Sequence, residues 1–99
     1  MAIKTLQQTI DERISFLREQ INPQNKPEMN STFQIQIDAI RSAATDDLEK
    51  VEAIITQKKE LLKNSKDIQE IDRLLAELDA LEWLQAQIAV NSSIYTLEE

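Results

Sequence analysis

The 99 residues include no cysteine, no histidine and no glycine, and only four aromatic side chains. Each absence removes a class of chemistry. Without Cys there is no disulfide framework, no thiolate nucleophile and no thiolate zinc site. Without His there is no imidazole to serve a catalytic triad or a two-histidine metal site. Without Gly no loop can bring its backbone close around a phosphate, so nucleotide fingerprints are excluded. The core must be mostly aliphatic, because Phe16, Phe33, Trp83 and Tyr95 are all the aromatics available. Long hydrophobic runs are missing too. Segments such as Ala53-Ile54-Ile55 are as long as any, far short of the stretch of about 20 residues that crosses a bilayer. Met1-Ala2-Ile3-Lys4 offers no signal-peptide apolar region. The expected location is cytoplasmic.

What is present is a soluble, globular composition of 41% hydrophobic and 29% charged residues. Eighteen acids against eleven bases give a net charge of −7, which disfavours nucleic acid as a partner. The charge is uneven. Residues 1–34 balance four bases with four acids, residues 35–64 hold five and six, and residues 65–99 hold two and eight.

Apolar periodicity predicts three helices in one domain. The first runs from about residue 5 to 21, with Ile3, Leu6, Ile10, Ile14, Leu17 and Ile21 on one stripe. Thr5 with Gln8, or Thr9 with Glu12, forms its capping box. Asn22-Pro23 ends it, because the residue before proline is driven from the helical region. A polar loop is expected over 22–30. Ser31 and Gln34 then read as a second capping box that opens a long helix over about 31–63. Its stripe is Phe33, Ile37, Ile40, Ala44, Leu48, Val51, Ile55 and Leu62. Thr45 or Asp46 would suit a new N-cap, but the stripe keeps its phase across them, which favours one continuous helix. Asn64-Ser65 is a turn, followed by a third helix over about 65–90. That helix has two apolar sides: Ile68, Ile71, Leu74, Leu75, Leu78, Leu81 and Ile88 on one, and Ala76, Ala80, Trp83 and Val90 on the other. The tail, residues 91–99, with Ile94, Tyr95 and Leu97, either frays or docks.

The expected fold is therefore all-α: an antiparallel hairpin of two long helices, with the short first helix closing a three-helix bundle at one end. The other end is a coiled-coil-like tip of Val51, Ile54, Ile55, Lys58, Leu61, Leu62, Ile68, Ile71, Leu74 and Leu75. Two helices alone bury such residues incompletely, and uncovered apolar surface marks association. These residues form the candidate protein interface, and a homodimer is expected.

Three charged sets compete with that reading. Asp67, Glu70, Asp72, Glu77, Asp79 and Glu82 form an acidic helix able to act as a decoy for nucleic acid, as small phage inhibitors do. Their spacing of roughly one acid per 4 Å is sparse beside duplex DNA, and a solvated helix surface explains it more simply. Lys58, Lys59, Lys63 and Lys66 gather at the turn. An anion contact is one reading, and complementing the helix dipole is the plainer one. Glu12, Glu19, Glu49 and Glu52 lack the histidine partners of a bundle metal site and read as surface charges. No segment carries the motif of a known family, and nothing assembles a nucleophile, a base and an oxyanion donor. The expected function is a non-enzymatic helical interaction module (an adaptor, small chaperone or assembly subunit) that self-associates. It would use no cofactor, metal, membrane or small-molecule substrate.

Overall fold

A computed structural model describes residues 5–43 and 47–98, with side chains described as far as Val90. Four helices follow one another: α1 (Leu6–Gln20), α2 (Pro27–Ala43), α3 (Leu48–Asn64) and α4 (Ile68–Glu98). No strand occurs among the described residues.

α1 starts where its capping box places it. The Gln8 N–H donates to Thr5 Oγ1 at 3.1 Å, and the Thr5 N–H donates to Gln8 Oε1 at 2.9 Å. Its stripe is buried at Ile10, Ile14 and Leu17, while Ile3 lies outside the described residues. The turn that follows is shorter than the expected 22–30 loop, because Pro27 is already the first residue of α2. Proline suits that position, since its missing N–H would have no helical partner there. Ser31, expected as a cap, is instead inside the helix. Asparagines hold the turn. Asn30 Nδ2 donates to the Asn22 carbonyl at 2.8 Å, Asn30 Oδ1 accepts from the Asn22 N–H at 3.1 Å, and Asn25 Nδ2 donates to the Gln20 carbonyl at 2.7 Å.

The single helix expected over 31–63 is two helices. Asp47 takes an extended backbone, φ −92° and ψ 102°, and its Oδ1 accepts the Glu49 N–H at 3.0 Å, capping α3. Ala44, Thr45 and Asp46 lie outside the described residues. The stripe keeps its phase across this break for a physical reason. Two helices that pack on one common partner each turn an apolar stripe toward it, so matched phase does not require continuity. That partner is α4, which packs most extensively against α3 and α2 and less against α1, while α1 packs chiefly on α2.

The break also changes what covers the expected tip. α2 folds back along the first half of α4, so Ile35 and Ala39 of α2 lie in one groove with Ile54 and Lys58 of α3 and Arg73 and Glu77 of α4. The tip is therefore not two helices alone. The core joins Ile10, Ile14 and Leu17 of α1, Ile37, Ile40 and Ala43 of α2, and Val51 and Ile55 of α3 to Leu78, Ala80, Leu81, Leu84 and Ile88 of α4. α4 itself begins at Ile68, later than expected, because Ser65 caps the end of α3 and Asp67 Oδ1 takes the Gln69 N–H at 3.0 Å.

The result is a flat molecule. Its Cα extents are 48 × 34 × 15 Å, and the smallest matches two helix layers, since the Cα atoms of one helix span about 5 Å and packed axes lie about 10 Å apart. The radius of gyration is 15.0 Å, against about 13 Å for a compact domain of this length.

Candidate protein-interaction surface

The positions round α4 decide which side chains are available. At about 100° per residue, Leu74, Leu78, Leu81, Leu84 and Ile88 point to α3 and the core, and Ala76, Ala80 and Trp83 point toward α2 and α1. All but the half-buried Trp83 are buried. The remaining arc of roughly 80° carries, in order across the helix, Glu82, Leu75, Ile68, Asp79 and Asp72. It faces water: Leu75 is 50% exposed and Ile68 75%.

The residues of the expected interface are thus divided. Val51, Ile55 and Leu74 are buried in the chain's own core region, and Ile54, Lys58, Leu62 and Ile71 are half-buried. Leu61, Ile68 and Leu75 remain exposed. Leu61 stands on the part of α3 that carries Ile54 and Gln57, which line the groove facing α2.

The expected acidic set divides as well. Asp67, Glu70, Asp72 and Asp79 line one open groove between α2 and α4, of about 1140 Å³, together with Glu28 and with Ile35, Leu75 and Ala76. Five acids meet one base there, Arg73. Glu77 turns the other way. Its side chain is only 16% exposed and is shared by Lys58 of α3 and Arg73, the latter at 3.5 Å. Glu82 faces Lys59 of α3 at 3.9 Å. Of the lysine cluster, Lys58 is therefore engaged on Glu77, whereas Lys59, Lys63 and Lys66 are exposed.

Two features had no clear signal in the sequence. Arg13 of α1 lies between two rings, 5.4 Å from the centre of Phe16 and 5.3 Å from that of Trp83, which ties α1 to α4 by cation–π attraction. Its buried Nε has no hydrogen-bond partner. A second groove of about 420 Å³ opens between α2 and α3, lined by Ala39, Ala43, Ile54 and Leu81 beside Asp38, Lys58 and Glu77. The groove was not visible without knowing that α2 folds back. Glu28 was passed over because it fell in the presumed loop.

No three acids among the described residues are grouped to hold a metal ion, and no described helix is long and apolar enough to cross a membrane. Compared with protein-family models, with curated proteins and with solved structures, the chain finds no match in any of the three.

Proposed function

We propose that this chain is a non-enzymatic helical protein–protein interaction module that self-associates, acting in the cytoplasm as an adaptor, small chaperone or assembly subunit. α3 and α4 form its antiparallel hairpin, and the outer arc of α4 is its contact surface.

The observation that carries this reading is apolar exposure on one arc of α4. Ile68 is 75% exposed and Leu75 50%, a heptad apart on the outer side of the helix. Burying a side chain of that size is worth about 1.5–3 kcal/mol.

The test is molar mass by light scattering over a wide concentration range. Wild type should approach twice 11.4 kDa. The double variant Ile68→Asp with Leu75→Asp should stay monomeric with unchanged helical circular dichroism. A wild-type monomer at every concentration would end this reading. Ile55 is unsuitable for such a probe, because it is buried and a charge there would unfold the chain.

The acid-lined groove favours a second reading, in which the chain is an acidic inhibitor that occupies a nucleic-acid-binding protein. Its support is that Glu28, Asp67, Glu70, Asp72 and Asp79 share one groove. It requires salt-sensitive binding to a basic protein, lost on reversing Glu70, Asp72 and Asp79. Binding that ignored salt would oppose it.

A further inference from the structure

We infer that the second copy binds through an exchange of charge across a two-fold axis that runs along α4, so that the two α4 helices lie parallel. This rests on the self-association proposed above and adds its geometry.

Three strips lie side by side on one face. The middle strip is apolar: Ile68 and Leu75, a heptad apart and only about 20° out of line on the helix. On the α3 side stand the exposed Lys59 and Lys63, with Lys66 in the link to α4. Lys59 reaches Glu82, which stands on the α3 side of the apolar strip, and this places Lys59 there, with Lys63 one turn further along α3. On the α2 side stand Asp72 and Asp79 of the acidic groove, with Glu28 of α2 across from them.

Two copies of a flat face can meet about a two-fold axis in the plane of contact. An axis running across α4 reverses the helices but keeps each side in place. Lysines would then meet lysines, and carboxylates would meet carboxylates. An axis running along α4 exchanges the sides. Lys59, Lys63 and Lys66 of each copy then lie over Asp72, Asp79 and Glu28 of the other, and the apolar strips meet between them. Like charges brought together oppose association, and opposite charges favour it. The charge pattern thus selects the parallel pair. It also gives a use to an otherwise odd pattern, in which a chain of net charge −7 keeps a lysine edge beside its most acidic helix.

The absence of native cysteine makes the test direct. Ile68→Cys and Leu75→Cys are prepared as two separate full-length variants and oxidised mildly with diamide. In a parallel pair each residue lies near its own counterpart, so both variants should form disulfide-linked dimers. In an antiparallel pair the two positions cannot both do so. If Ile68→Cys meets itself, the Leu75 positions are about 20 Å apart along the axis, beyond the Cα separation of about 7 Å that a disulfide spans.

Charge reversal gives a second measurement. Lys59→Glu with Lys63→Glu, or Asp72→Lys with Asp79→Lys, should each raise the dimer dissociation constant roughly tenfold or more. An equimolar mixture of the two reversed variants should recover association. If wild type dimerises but cross-linking is confined to one position, or the mixture does not recover, the parallel charge exchange is wrong while self-association stands. If wild type never dimerises, both fall.

Discussion

Leu84 and Leu75 belong to the same helix, yet the first is 0% exposed and the second 50%. The buried arc of α4 is apolar except for Glu77, which is paired with Lys58 and Arg73, and it receives α1, α2 and α3. The outer arc alternates Ile68 and Leu75 with Asp72, Asp79 and Glu82, and both apolar residues are exposed among the described residues. The contrast separates the side of α4 that holds the fold together from the side proposed above as a contact.

The strongest way to break that contrast is Leu84→Ala. A cavity at the centre of the buried arc should cost about 2–5 kcal/mol in urea unfolding. Leu75→Ala, the same change on the outer arc, should alter monomer stability by no more than about 0.5 kcal/mol. A loss at Leu75 equal to that at Leu84 would erase the distinction.

Asp47→Ala tests the chain reversal that lets α2 and α3 share α4. Loss of the α3 cap should cost about 1 kcal/mol, seen as an earlier unfolding midpoint. If residues 31–63 formed one helix, that Asp would be mid-helix, where replacing it with a better helix former should stabilise the chain.

Arg13→Ala should have a small effect on the fold, about 0.5–1 kcal/mol from lost contact with Phe16 and Trp83. It should be accompanied by a shift in Trp83 fluorescence and no change in association. Altered association would place α1 in the contact surface.

Much of the buried arc was legible from periodicity. Ile10, Ile14 and Leu17 in α1, Ile37 and Ile40 in α2, Val51 and Ile55 in α3, and Leu78, Leu81 and Ile88 in α4 were all expected on apolar stripes and are all buried. Leu84 was missed because it falls between the two stripes assigned to α4. The helix is covered on so wide an arc that the two stripes are one surface. The outer arc was misjudged in the opposite direction. Ile68 and Leu75 were grouped with Leu74, since a helix of such high apolar content gives no local sign of which members a distant segment will cover. That depended on the reversal near Asp47, which a short polar cap sets and a stripe does not report. Ile94, Tyr95 and Leu97 are side chains outside the described set, though the backbone of α4 continues helical to Glu98.

The most direct test of the two-sided helix is the thermal midpoint measured at several protein concentrations, for wild type and for Ile68→Asp with Leu75→Asp. A fold stabilised by pairing has a midpoint that rises with concentration. Wild type should show that rise, and the double variant should show a single, concentration-independent midpoint equal to that of dilute wild type. A wild-type midpoint indifferent to concentration would contradict the central claim that the outer arc of α4 is a contact surface for a second copy.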